Sequence, residues 1–183
     1  MRRNRIFGVA AVIVCFAAIL AATTIVPMSV EKLTANSTDV VEARAIDAHS
    51  SWDANRMMIY TYTRFEVRRT LKGTAPNIIT VKQMGGHADG YTQKISGVRH
   101  WHSGDEAVLF LQPSTMNDGT LIVTGLVQGN FKMLRQPSGA VMVSNGVPDV
   151  SAVEQRTSTP LEYRGAKISI QDLEQRVRKA QEQ

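Results

Sequence analysis

Three of the chain's four histidines lie within residues 85–105, "GGHADGYTQKISGVRHWHSGD", at a spacing that suggests a metal site. Zinc is held by about three or four nitrogen, oxygen or sulfur ligands. On an extended segment, His100 and His102 point to the same face. His87 and Asp89 could supply further ligands from the glycine-flanked loop. This reading predicts a zinc-binding protein or a metal-dependent hydrolase that uses His87, His100 and His102.

The same residues also fit an ordinary loop with an aromatic anchor, and we favour that interpretation. Trp101 separates His100 from His102, and burial of its large ring would turn both imidazoles outward to water. No HExxH pattern accompanies the histidines. We therefore expect no cofactor, with zinc as the alternative.

A second candidate site lies on the segment 57–73, "MMIYTYTRFEVRRTLKG". Its period-two alternation predicts a half-buried strand with Tyr60, Tyr62, Arg64 and Arg68 on the exposed face. Aromatic and basic side chains together are typical of surfaces that stack and hold phosphates. Arg69 falls on the opposite face, which divides the basic group. We therefore expect a surface for a protein or an envelope ligand rather than for nucleic acid.

The sequence contains no motif that predicts catalytic residues. A GxSxG nucleophile elbow is absent, and Gly85-Gly86 lacks the lysine of a phosphate-binding loop. Two glycines after a strand are better explained by a turn. We therefore predict a binding or interaction module rather than an enzyme.

The elements that must position these residues are mostly strands. Turn residues and β-branched runs predict a strand-rich domain with a short helix after Ser29 and a C-terminal helix at 170–182. The predicted strands cover 39–48, 57–73, 78–84, 106–112, 120–134 and 140–144. Within the fifth, Gly125 and Gly129 predict a bend of the kind that a barrel needs at its corners.

This pattern predicts a mainly β fold, a small five- to six-stranded Greek-key barrel of the OB type with a C-terminal helix. A β-sandwich is the alternative, because strand number alone does not separate the two. Residues 106–112, "EAVLFLQ", are apolar enough for a strand that is buried on both faces. The C-terminal helix carries Ile170, Leu173 and Val177 on one stripe, which we expect to pack on the barrel.

The N-terminus predicts export. Arg2, Arg3 and Arg5 precede residues 6–26, an uncharged apolar run typical of a signal peptide and, as a helix, long enough to cross a bilayer. Cleaved signal and retained membrane anchor both remain open. Either way the positive-inside rule puts the domain 27–183 on the periplasmic or extracellular side. Without the three arginines, 18 basic and 16 acidic residues remain, and the only cysteine, Cys15, lies in the apolar run.

The order of segments resembles exported bacterial domains of the netrin-like, tissue-inhibitor-of-metalloproteinase-like kind. The resemblance is carried by five short stretches. They read "STDVVEARA" (37–45), "YTYTRFEVRRTLKG" (60–73), "ITVKQMGG" (79–86), "SGDEAVLFL" (103–111) and "GLVQGNFKM" (125–133). It implies a five-stranded Greek-key barrel. Inhibitors of that kind bind the protease metal through an N-terminal cysteine, whereas residues 27–183 contain no cysteine, so no functional residue is carried over.

Overall fold

The computed structural model describes residues 28–146 and 167–182, and it shows a mainly β protein with two helices. The strands are numbered in chain order. They are β1 (Asp39–Trp52), β2 (Ile59–Lys72), β3 (Ile78–Met84), β4 (Gly86–Ala88), β5 (Tyr91–Gln93), β6 (Glu106–Pro113), β7 (Leu121–Val123), β8 (Asn130–Arg135), β9 (Val141–Ser144) and β10 (Ile168–Ser169). The helices are α1 (Val30–Asn36) and α2 (Ile170–Gln181), and a 3₁₀ turn spans Leu126–Gly129.

Five strands close into a barrel in the order β1-β2-β3-β7-β6, and β6 pairs back with β1. All the joins are antiparallel except the one between β3 and β7, which is parallel and is bridged by a single residue pair, Val81 with Leu121. The ring of paired strands confirms the predicted barrel over the sandwich. From β6 the sheet continues through β8, β9 and β10.

Strand β6 separates two apolar cores, which explains why its sequence is apolar throughout. Ala107, Leu109 and Leu111 pack inside the barrel, while Val108 and Phe110 pack against the two helices and the β8–β9 extension. All five side chains are completely buried. The prediction of a strand buried on both faces is therefore confirmed.

The two helices pack together over the second core. Each begins at a serine whose hydroxyl accepts a backbone N–H, Ser29 from Lys32 and Ser169 from Asp172. The predicted stripe of α2, Ile170, Leu173 and Val177, is buried against this core. This confirms that the C-terminal helix packs on the barrel.

Two local expectations were incomplete. The predicted single strand 120–134 is split into β7 and β8, because Gly125 adopts a left-handed φ of 67° and a 3₁₀ turn follows it. The histidine stretch, which we expected to be a loop, contains the small β4–β5 hairpin. Its turn consists of Asp89 and Gly90, both at positive φ, as a tight hairpin turn requires.

The predicted N-terminal hydrophobic helix, residues 6–26, lies outside the described residues. In the part of the chain that the structure describes, neither helix is long and apolar enough to cross a membrane.

Candidate ligand-binding face

Strand register gathers the predicted surface residues on the outer face of the barrel. Tyr62 of β2 lies opposite His49 of β1 and Lys82 of β3, so these three side chains form a row across the strands. Tyr60 lies opposite Met84 in the neighbouring row. Because strand side chains alternate between faces, all five point away from the barrel interior.

Lys82 is the centre of this face, although the sequence did not single it out. Only 7% of its side-chain surface is exposed. Its Nζ lies 4.4 Å from the ring centroid of Tyr60 and 5.4 Å from that of Tyr62, which are cation–π distances. The Tyr62 ring in turn stacks on His49, with centroids 5.2 Å apart.

The charge of the Lys82 ammonium is balanced by the carboxylate of Asp118, which lies in the turn between β6 and β7. Its Nζ lies 2.9 Å from Asp118 Oδ2 and 2.9 Å from Met116 Sδ. Burial, the largest single influence, lowers the pKa of Lys82, but the hydrogen bond and charge interaction with Asp118, together with Tyr62, outweigh it, so the net pKa is raised. Two hydrogen bonds hold the pKa of Asp118 well below its usual range. The one from the Thr120 hydroxyl has the larger effect, and the one from Lys82 comes second. This pair therefore stays charged at neutral pH.

The predicted arginines on this strand are also paired with carboxylates. Arg64 forms a two-pronged contact with Asp47, which lowers the pKa of that carboxyl. Arg68 Nη2 lies 2.9 Å from Glu66 Oε2, further along the strand.

Arg69 turns away from this face. A register shift in the β1–β2 ladder precedes its pairing with Glu42, and Arg69 contacts both Glu42 and Glu174 of α2. Tyr60, Tyr62 and Arg64 therefore share the outer face of β2. Arg64, Arg68 and Arg69 each form an ion pair with a carboxylate.

Beside Lys82 the outer face opens into a cavity of about 200 Å³. Tyr60, Lys82 and Gln83 line its side on β2 and β3. Most of the remaining lining is apolar and comes from Met84, Val98, Met116, Ile122, Val123 and Leu126. Sequence reasoning missed this cavity because its walls come from segments that are far apart in the chain.

Two of the three candidate metal ligands are hydrogen-bonded to separate partners, and the third is exposed. His87 Nδ1 lies 2.9 Å from Thr92 Oγ1, and His100 Nε2 lies 3.1 Å from the carbonyl oxygen of Met84. His102 projects into solvent with 93% of its side chain exposed.

His87 and His100 do line one groove, between the β4–β5 hairpin and the strands beneath it. Asp89, the possible fourth ligand, is instead paired with Arg56 at 2.7 Å. Across residues 28–146 and 167–182, no three or more His, Cys, Asp or Glu side chains are grouped so that they could hold a metal ion.

Trp101 anchors the histidine loop, as the favoured interpretation predicts. It is 5% exposed and packs edge-on against Phe65, with ring centroids 4.9 Å apart. Its Nε1 donates to Asn130 Oδ1 at 3.1 Å. The indole is therefore fixed in the barrel core by both an apolar and a polar contact.

Comparison with models of known protein families gives no match, and comparison with curated protein sequences gives no match either. Functional inference therefore rests on the residues and geometry described above.

Proposed function

We propose that this chain is a non-enzymatic binding module that is exported or anchored to the membrane, and that it binds a protein or envelope ligand through the outer face of β2 and β3. One observation carries the proposal. A mostly apolar cavity opens next to the aromatic residues Tyr60 and Tyr62 on the face that the sequence singled out. Ligand sites in proteins are typically concave, mostly apolar and supplied with a few placed polar groups.

The electrostatics of the face favour such a ligand over a nucleic acid. Binding to a polyanion depends on cations that neutralise phosphates. Here Arg64 and Lys82 are each engaged by a carboxylate, so a phosphate chain would have to compete with Asp47 and Asp118. The uncharged run at 6–26 supports the exported location. The resemblance to netrin-like exported domains is compatible with the barrel and remains part of this proposal.

The experiment compares wild-type protein with Tyr62→Ala and with Tyr91→Ala. Tyr91 is a control tyrosine that is 64% exposed on β5 and does not line the cavity. Full-length protein is immobilised, and retention of fractionated cell-envelope components is measured by biolayer interferometry. We expect Tyr62→Ala to abolish retention and Tyr91→Ala to preserve it, with both variants keeping the wild-type melting temperature to within a few degrees.

Two results would contradict the proposal. One is equal retention by wild-type protein and Tyr62→Ala. The other is catalytic turnover of members of a broad hydrolase substrate panel by the purified protein, lost after mutation of the face.

A further inference from the structure

The cavity lies at the weakest join of the barrel. Strands β3 and β7 are bridged only by the pair Val81 and Leu121. The residues that follow in both strands, Gln83 on one side with Ile122 and Val123 on the other, line the cavity. The cavity therefore opens at the gap between these two strands. Gln83, on the inward side of β3 with Val81, forms its inner wall, and residues of the turn after β6 and of the 3₁₀ turn complete it.

The side chain of Gln83 indicates which kind of ligand the cavity would hold. The residue is 8% exposed, and its Oε1 is one of three buried side-chain polar atoms in the described residues that have no hydrogen-bond partner. The other two are Trp52 Nε1 and Thr63 Oγ1, neither of which belongs to a residue that lines this cavity. A buried acceptor without a donor costs about 1–3 kcal/mol, so most are satisfied. A ligand that donates to Oε1 would recover that cost.

Exposed apolar side chains are concentrated around the same cavity. Of the seven large hydrophobic residues exposed in the described part of the chain, Met84, Met116 and Leu126 line it. Leu126 also holds a φ of 59°, in the left-handed region that a leucine rarely adopts. Methionine adapts its shape to ligands and makes favourable sulfur–aromatic contacts. The two methionine side chains therefore favour an aromatic ligand.

We propose that this cavity binds a small, uncharged aromatic molecule whose N–H or O–H donates to Gln83 Oε1, of the size of an indole or a phenol. This deepens the proposed function by naming a ligand class for the same face. The volume of about 200 Å³ compares with the roughly 150 Å³ of an engineered cavity that binds benzene.

The ligand is uncharged because the site offers no spare counter-charge. Lys82, the cation in the cavity wall, is already paired with Asp118 at 2.9 Å. A carboxylate placed against the mostly apolar lining would lose its hydration without a free partner, which is strongly unfavourable. An aromatic ring can instead pack against Tyr60 and the methionine side chains.

Indole and indene test the proposal directly, because they have nearly the same shape and only indole carries an N–H donor. Binding of each to the full-length protein is measured by isothermal titration calorimetry and saturation-transfer NMR. We expect indole to bind at least tenfold more tightly than indene. In Gln83→Met, which replaces the amide with a similar apolar volume, the two ligands should bind equally.

Two further variants locate the site. Met116→Ala, at the cavity, should weaken indole binding at least fivefold, whereas Met57→Ala should leave it unchanged. Met57 is a matched exposed methionine outside the cavity, with 75% of its surface accessible. If Gln83→Met fails to fold, the comparison of indole with indene on the wild-type protein still decides the question.

The proposal is overturned if neither ligand binds at millimolar concentration, if wild-type protein binds indole and indene equally, or if Gln83→Met keeps the preference for indole. Failure of indole with retained Tyr62-dependent binding of envelope components would reject the ligand class and leave the binding face in place. Failure of both assays would reject the proposed function as well.

Discussion

Replacing Trp101 with phenylalanine tests whether the histidine loop is held by its aromatic anchor. The smaller ring keeps part of the edge contact with Phe65 but loses the N–H that donates to Asn130 Oδ1 at 3.1 Å. Asn130 is 1% exposed, so its oxygen would be left buried without a donor. Loss of that donor and of packing volume should lower the free energy of unfolding by about 2–4 kcal/mol.

Urea unfolding followed by far-UV circular dichroism measures this loss without depending on tryptophan fluorescence. A double-mutant cycle with Asn130→Ala isolates the pair, and we expect a coupling energy of about 1–2 kcal/mol, within the range for residues in direct contact. His102→Ala is the control. Its side chain is 93% exposed, so its effect should stay within about 0.5 kcal/mol.

The reasoning is refuted if Trp101→Phe unfolds within about 0.5 kcal/mol of the wild type. It is also refuted if His102→Ala proves the more damaging change, because that would make the imidazole rather than the indole the structural anchor of the loop.

Three further predictions follow from named contacts. Arg176 lowers the pKa of Glu31 below its ordinary value of 4.5, so wild-type protein should unfold at higher urea than Glu31→Gln at neutral pH, and the difference should vanish as the pH falls through the lowered pKa. Gly125→Ala should destabilise the protein more than Gly139→Ala. Both glycines have positive φ, but a Cβ at Gly125 would lie 3.0 Å from Met28 Sδ, whereas one at Gly139 would meet nothing within 4 Å. Equal losses would contradict this. Full-length protein purified without chelator should contain no stoichiometric zinc, copper or iron by mass spectrometry, and a full equivalent would revive the metal hypothesis.

Much of the fold could be predicted because capping and turn residues mark the ends of its helices and strands. Ser29 caps α1 as expected, and the short helix that follows it spans Val30–Asn36. Strand β3 spans Ile78–Met84, also as expected, between a proline-containing turn and a pair of glycines. Strand β2 alternates as predicted, with Ile59, Thr61, Thr63 and Phe65 buried.

The missed elements are short, and tertiary pairing supports them. Strands β4 and β5 contain three residues each, too few for a hydrophobic period to show. The dipeptide Asp89-Gly90 was the available signal, since it is a strong predictor of a tight hairpin turn. Strand β10 has only two residues and pairs with β9 immediately before α2, which no local pattern in the sequence indicates.

For a related reason, the sequence predicted only part of the candidate site. Alternation along one strand is a local property, so Tyr60 and Tyr62 could be placed on an exposed face from the sequence. The approach of Lys82 depends on the register between β2 and β3, and the approach of Asp118 depends on the turn after β6. These are long-range relationships that composition and periodicity do not encode.

The charged residues of this face differ in how easily a ligand could displace their present ion-pair partners. Arg64 and Arg68 form exposed ion pairs, with side chains about half accessible, and water already competes with their carboxylates. Lys82 is different, because removing Asp118 would leave a nearly buried ammonium without its counter-ion. The Lys82–Asp118 pair therefore stays intact when the cavity is occupied, which is why the proposed ligand carries no charge.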